Sequence, residues 1–212
     1  MNIKGIIFDL DGVLVFTDKY HYKAWKAVAD ELGVYFDETI NNRLRGVSRM
    51  ASLDIILERY EGRPLSAGEK AVIAEKKNGL YRQLLAEMTP ADVSEEVRDT
   101  LKELRGRGCR IALGSSSKNA RFILERTDLT DAFDAISDGN NITHSKPDPE
   151  VFVKAAEYLH LAPADCLVVE DAQAGIEAAI AGGMHSAAIG DAVHCGLAEY
   201  TLGSIVELLQ IV

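Results

Sequence analysis

Along most of the chain, short continuous apolar runs alternate with segments in which apolar residues recur every three or four positions. Short apolar runs, typical of strands buried on both faces, occur at 6–8, 109–113, 133–136, 166–169 and 185–189. Apolar residues spaced three or four apart predict helices over about 94–104, 148–159, 174–181 and 204–209, and one through Phe122 and Leu124. Strands alternating with helices predict an α/β fold with a doubly wound, mostly parallel, Rossmann-like sheet.

One long segment lacks strand patterns. Residues 20–88 carry only helical periodicity, with predicted helices over about 20–32, 39–44, 50–60 and 66–88. The last of these begins with a capping box, Ser66 and Glu69. The segment follows the first strand directly, so the sequence predicts an α/β core with an all-helical insert after that strand.

Composition and charge restrict the function classes. The 212 residues carry a net charge of −10, which disfavours binding to nucleic acid or to an anionic membrane. No apolar run has membrane length, and no signal peptide pattern occurs. Three widely spaced cysteines, Cys109, Cys166 and Cys195, indicate a reducing compartment rather than a disulfide framework. We therefore expect a cytoplasmic protein without nucleic-acid or membrane partners. We also expect it to be a monomer.

Polar side chains follow three of the predicted strands. Asp9 and Asp11 with Gly12 follow the first strand, the polar run 115–119 follows the second, and Glu170 and Asp171 end the strand at 166–169. The carboxyl ends of parallel strands meet at one edge of a sheet, so these groups should share one crevice. Carboxylates so close together repel one another unless a cation lies between them, which predicts Mg²⁺.

Phosphoryl transfer is the chemistry that this combination favours. An aspartate beside Mg²⁺ can attack phosphorus, and a second aspartate two residues later can move a proton at the reacting oxygen. Lys146 is the candidate to neutralise the phosphoryl oxygens. Taken alone, Lys146 is more typical of a solvated loop, and Glu170 with Asp171 of a solvated turn. Their combination with Asp9 favours the site.

The motifs Asp9-Leu-Asp-Gly-Val13, Ser115, Lys146-Pro147 and Glu170-Asp171 resemble those of the haloacid dehalogenase-like phosphotransferases. The insert, residues 17–89, looks like their helical cap domain, and residues 1–16 with 90–212 look like their catalytic core. The segments Gly46–Arg49, Lys77-Asn78 and Ser115–Asn119 resemble the β-phosphoglucomutase branch. Phe16 and Lys19 depart from that branch at the entrance to the insert.

The resemblance implies roles for the matching residues. Asp9 would be the nucleophile and Asp11 the general acid/base. Mg²⁺ would be held by Asp9, the Asp11 backbone carbonyl and Asp171, with support from Glu170. The residues implied to bind substrate are Asp11, Thr17, His21, Trp25, Gly46, Val47, Ser48, Arg49, Ser52, Lys77, Ser115, Ser116, Ser117, Lys118, Asn119 and Lys146.

The implied reaction interconverts β-D-glucose 1-phosphate and D-glucose 6-phosphate through an aspartyl phosphate and a 1,6-bisphosphate. Two alternatives stay open: a sugar-phosphate phosphatase on the same fold, and a non-catalytic switch that accepts phosphate on Asp9. Within the insert, the helical stripe favours a core position for Trp25. His21 is equally consistent with an ordinary helix residue, and Lys77 with a lysine whose stem lies along an apolar face.

Overall fold

Six parallel strands form one sheet in the computed structural model, which describes residues 3–44 and 47–212. The strands are β1 (Gly5–Phe8), β2 (Arg110–Gly114), β3 (Ala135–Ser137), β4 (Cys166–Glu170), β5 (His185–Ile189) and β6 (Tyr200–Leu202). Their order across the sheet is β3-β2-β1-β4-β5-β6. The predicted fold class is confirmed: the sheet is parallel and β1 lies at its centre, between β2 and β4.

Helices of the sheet-containing part pack on an apolar core. They are α5 (Glu95–Gly106), α6 (Ala120–Thr127), α7 (Glu150–Tyr158) and α8 (Gln173–Ala181), numbered in chain order after the four helices of the insert. Phe152 and Ala155 of α7 and Ala178 of α8 join Ile7 and Val168 of the strands in one buried cluster. Burial of both sheet faces explains why the strands read as continuous apolar runs rather than alternating ones.

The insert is entirely helical over its described residues. Its helices are α1 (Asp18–Glu31), α2 (Glu38–Asn42), α3 (Arg49–Leu57) and α4 (Ala67–Leu85). Trp25, Val28 and Leu53 lie in their shared apolar core. Ser66 and Glu69 cap α4 reciprocally, which confirms the predicted capping box.

Contacts between residues divide the chain into two compact units. One is Met1–Phe16 with Met88–Val212, and the other is Thr17–Glu87. In the described residues no helix combines the length and apolar character needed to cross a membrane.

The chain after β5 differs from the prediction. The pattern gave no strand there, yet Tyr200–Leu202 pairs with β5 at the sheet edge. The helix predicted over 204–209 is a 3₁₀ helix, Ile205–Gln210. A strand of three residues with one buried position carries too little periodicity to be recognised.

Candidate active site

The turn after β1 presents the two aspartates. The Asp9 N–H donates to the Val169 carbonyl oxygen at 3.0 Å, so the β1–β4 pairing continues one residue beyond the strand. Gly12 has a φ of +84°, and its N–H donates to the Val15 carbonyl oxygen at 2.7 Å. A Cβ at Gly12 would lie 2.0 Å from Asp171 Oδ2. Glycine is therefore required both for the backbone angle and for the close approach of Asp171.

The end of β4 supplies a buried carboxylate. Glu170 is 1 % exposed, and its Oε2 accepts the Ala172 N–H at 2.7 Å. A Cβ at Gly175, in the first turn of α8, would lie 2.0 Å from Glu170 Oε1. The missing side chain at Gly175 therefore makes the space that Glu170 occupies.

Lys146 connects the two strand ends. It lies in the loop before α7, and its Nζ is 2.5 Å from Asp9 Oδ1 and 2.5 Å from Glu170 Oε1. The same Nζ is 4.6 Å from the centroid of the Phe152 ring. Burial opposes the charge of Lys146, but the carboxylates of Asp9 and Glu170 outweigh this effect and raise its pKa. Lys146 is therefore a charged lysine held inside the fold.

Asp9 lies among more negative than positive groups. Burial raises the pKa of its carboxyl well above the ordinary value, Lys146 lowers that pKa, and Glu170, Asp171 and Asp11 raise it further. Among the described residues around Asp9, the ammonium group of Lys146 is thus outnumbered by carboxylates, which leaves the cluster short of positive charge. An additional cation beside Asp9 would favour the ionised carboxylate that a nucleophile requires.

The donor set fits Mg²⁺. Asp9, Glu170 and Asp171 each offer a carboxylate oxygen, and these oxygens lie within 4.8 Å of one another. All are hard oxygen ligands, the kind that Mg²⁺ prefers. The missing side chain at Gly12 leaves the space that the Asp171 carboxylate occupies.

The loop 115–119 follows β2, which pairs with β1 so that Leu113 lies opposite Phe8. Ser115 and Asn119 are buried, whereas Lys118 is exposed. The Ser117 N–H donates to Ser115 Oγ, and the Asn119 N–H donates to Ser117 Oγ, both at 3.2 Å. Three of the predicted neighbours thus come from the ends of adjacent strands: Asp9, Ser115 and Glu170. The fourth, Lys146, comes from the loop before α7.

A second set of predicted residues meets inside the helical unit. Lys77 of α4 is 3 % exposed, and its Nζ lies 2.8 Å from His21 Nδ1. The Lys77 Nζ also lies 4.9 Å from the centroid of the Trp25 ring and 4.4 Å from that of Tyr81. Burial and the charges of Lys77 and Arg49 lower the pKa of His21 well below its ordinary value. Since an ammonium group only donates, neutral His21 accepts at Nδ1 and carries its proton on Nε2.

The remaining predicted residues of the helical unit are dispersed. Arg49 begins α3 and donates to Glu75 at 3.2 Å and to Asn78 at 2.9 Å. Ser48 caps α3 through its contact with the Ala51 N–H. Several others differ in exposure: Thr17, Trp25 and Ser52 are buried, and Val47 is exposed. Gly46 lies outside the described residues.

The turn 138–141 after β3 contacts the loop 115–119, although no motif in the sequence indicates a role for it. Tyr81, which no motif indicates either, packs against His21 with ring centroids 4.1 Å apart. A signal for the turn was present in its composition, Asp-Gly-Asn-Asn directly after a strand. That composition predicts a turn without indicating what the turn contacts.

Comparison with known proteins gives consistent relatives. The haloacid dehalogenase-like hydrolase family model matches residues 3–183. The chain is 40% identical over 190 residues to a β-phosphoglucomutase of Bacillus subtilis, covering 89% of this chain and 84% of the relative. It is 31% identical to a fructose-1-phosphate phosphatase of Escherichia coli, covering 85% and 93%. A crystal structure of β-phosphoglucomutase from Clostridium difficile superposes with a TM-score of 0.90 at 37% identity, covering 97% and 93%.

Proposed function

The chain belongs to the haloacid dehalogenase-like hydrolase family, and from that premise we propose that it is a β-phosphoglucomutase. It would interconvert β-D-glucose 1-phosphate and D-glucose 6-phosphate through a 1,6-bisphosphate. The observation that carries phosphoryl transfer is Lys146 Nζ, 2.5 Å from both Asp9 and Glu170 in a buried carboxylate cluster. The mutase reaction is supported by the similarity to the mutase of B. subtilis.

Asp9 would carry the phosphoryl group between the two positions of the sugar. In the first half-reaction, the sugar's 6-hydroxyl oxygen forms a bond to phosphorus as the phosphorus–Asp9 oxygen bond breaks. Asp11 takes the hydroxyl proton. In the second half-reaction, the Asp9 carboxylate attacks the 1-phosphate of the turned intermediate, and Asp11 returns the proton to the departing sugar oxygen.

Mg²⁺, when bound by Asp9, the Asp11 carbonyl and Asp171 with support from Glu170, would neutralise charge on the transferring phosphoryl group. Lys146 would hold the same phosphoryl oxygens from the protein side, together with Ser115. The buried position of Lys146 strengthens its electrostatic effect, because little water screens the charge.

A mutase must also hold the phosphate that is not reacting. We assign this role to Arg49 with Ser117, Lys118 and Asn119. The planar guanidinium of Arg49 can bind two phosphate oxygens, and Glu75 and Asn78 orient it within the helical unit.

On this proposal residues 17–89 are the cap domain, which closes during the reaction and excludes water from the aspartyl phosphate.

The second candidate is a sugar-phosphate phosphatase, favoured by the similarity to the fructose-1-phosphate phosphatase of E. coli. In that reaction water, rather than a sugar hydroxyl, receives the phosphoryl group from Asp9. Both candidates form an aspartyl phosphate on Asp9, and they differ in the acceptor and in the need for a second phosphate site.

One assay separates the candidates. We would incubate the protein with β- or α-glucose 1-phosphate, with and without a 1,6-bisphosphate primer, and measure glucose 6-phosphate and released phosphate. A mutase forms glucose 6-phosphate from the β anomer and depends on primer, whereas a phosphatase releases phosphate without primer. Chelation should abolish either activity and Mg²⁺ should restore it; full activity after exhaustive chelation would contradict the metal assignment.

A further inference from the structure

The turn 138–141 after β3 lies against the loop 115–119. The Gly139 N–H donates to the Ser117 carbonyl oxygen at 3.2 Å, and Asn140 Nδ2 donates to the Lys118 carbonyl oxygen at 3.0 Å. Two consecutive carbonyl groups of the loop are therefore held by two consecutive residues of the turn. Both carbonyl groups belong to residues that we assign to the second phosphate.

These contacts orient the loop peptides together with the Ala120 N–H, which donates to the Ser117 carbonyl oxygen at 3.4 Å. In a planar trans peptide the carbonyl oxygen and the following N–H point in opposite directions. Holding the Ser117 and Lys118 oxygens toward the turn directs the N–H groups of Lys118 and Asn119 away from it. The Asn119 N–H donates to Ser117 Oγ at 3.2 Å, which orients that hydroxyl as well. The turn thus orients the Lys118 N–H and the Ser117 hydroxyl as donors on the opposite side of the loop.

Gly139 allows the backbones to approach this closely. A Cβ at this position would lie 2.4 Å from the Ser116 carbonyl oxygen and 2.8 Å from the Lys118 nitrogen. Both are backbone atoms, so no rotation of a side chain would relieve the clash. Any side chain at residue 139 must displace the loop or the turn.

Asp138 holds the turn in shape. Its side chain is buried, its Oδ1 accepts the Asn140 N–H at 2.8 Å, and its Oδ2 lies 3.2 Å from Arg121 Nε. Its own N–H donates to Asn141 Oδ1 at 2.5 Å. The Oδ1 contact fixes the backbone between Asp138 and Asn140, whereas Oδ2 lies near the Arg121 guanidinium without a hydrogen bond. The Asn140 side chain is therefore presented to Lys118 from a fixed backbone.

We propose that Gly139 and Asn140 are positioning residues for the non-reacting phosphate of the sugar phosphate, acting through the loop 117–119. This inference rests on the proposed function, because that function supplies the second phosphate. It makes a specific claim: disturbing the turn should affect a substrate with a distant phosphate more than a substrate without one.

The test compares KM and kcat for β-glucose 1-phosphate with those for acetyl phosphate, a small phosphodonor. Asn140→Asp keeps the side-chain size but places an oxygen where the Nδ2 donor faces Lys118. Gly139→Ala adds the clashing Cβ. Gly106→Ala is the matched control, because a Cβ there meets nothing within 4 Å. Melting curves of all variants identify any that fail to fold.

Asn140→Asp should raise KM for the sugar phosphate by about 2- to 10-fold, the range for losing one hydrogen bond, and change KM for acetyl phosphate less. Gly139→Ala should raise the ratio of the two KM values further, and Gly106→Ala should leave it unchanged. Unchanged KM values, or equal changes on both substrates in Asn140→Asp, would overturn the proposal even if Gly139→Ala does not fold.

The outcome is separable from that of the proposed function. If the wild-type protein forms no glucose 6-phosphate but hydrolyses sugar phosphates, the mutase assignment fails. The KM ratio between the 1,6-bisphosphate, which carries a second phosphate, and acetyl phosphate, which does not, then still decides whether the turn positions the loop.

Discussion

Replacing Lys146 by methionine would test the electrostatics of the buried cluster most directly. Methionine keeps the unbranched chain out to Cε but removes the ammonium group, and with it the contact of Nζ with the Phe152 ring. The variant leaves Asp9, Glu170 and Asp171, whose oxygens lie within 4.8 Å of one another, without the cation that contacts two of them at 2.5 Å.

The expected loss is large because the pair is buried. Removing one partner of a buried ion pair typically costs about 3–5 kcal/mol in the free energy of unfolding, since the other charge stays buried without compensation. Mg²⁺ at about 100 times its Kd would return about 2.7 kcal/mol in the variant. The variant should gain more from Mg²⁺ than the wild type, because Lys146 no longer repels the cation.

The loss should depend on pH in a defined direction. Burial already raises the pKa of Asp9 well above its ordinary value, and Lys146 is the group that lowers it. Without Lys146 that pKa rises further. Between the unfolded and folded pKa values the folded chain binds more protons, so the free energy of unfolding falls as the pH rises. The difference between variant and wild type should therefore be smaller at about pH 5 than at about pH 8.

Urea denaturation in chelator and in saturating Mg²⁺, at both pH values, measures these differences. Lys4→Met is the control, since it removes the same group from an exposed ion pair with Asp165 and should change stability little. Activity on β-glucose 1-phosphate should fall about tenfold to a hundredfold as a charge-assisted contact to the phosphoryl group is lost. Wild-type stability of Lys146→Met in chelator would refute the electrostatic argument.

Three further predictions concern the other assigned groups. Asp11→Asn should lower kcat on β-glucose 1-phosphate by about 10²–10⁴-fold with an unchanged circular dichroism spectrum, because an amide cannot transfer the proton; a near-normal rate would contradict its role. Arg49→Ala should lower kcat/KM on the same substrate about tenfold to a hundredfold, and lower turnover of acetyl phosphate less. Equal losses on both would mean that Arg49 does not serve a second phosphate. In a nitrogen NMR titration the His21 imidazole should stay neutral well below pH 6.5. The Lys77→Met variant should move the midpoint of the His21 titration upward. Protonation of His21 near pH 6.5 in the wild type would contradict the buried contact.

Much of the architecture followed from local patterns. The strand at 185–189 and the capping box at Ser66 were predicted where the structure has them, because a buried strand and a capped helix leave short-range signals. The four other predicted strands and most helices differ from their predicted bounds by one or a few residues, as expected where ends fray. The short edge strand β6 was missed because pairing with β5, rather than its own periodicity, makes it a strand.

The identity of the candidate catalytic residues was also readable from the sequence. Asp9, Glu170 and the loop beginning at Ser115 each follow an apolar run, and parallel strands bring such ends to one edge. Lys146 was inferred only from its motif, since it follows no predicted strand. That its ammonium group is buried between Asp9 and Glu170 depends on residues 137 and 24 positions away.

The tertiary structure alone decided what supports these residues. Gly175 leaves room for Glu170, and Gly139 lets one turn lie against the loop that follows a different strand. Neither role is visible in the sequence, because a glycine there reads only as a turn or as a weak helix position. The periodicity of apolar residues indicates which face of its own helix or strand a residue occupies. Close approach between two elements depends instead on atoms that the chain brings together only when it folds.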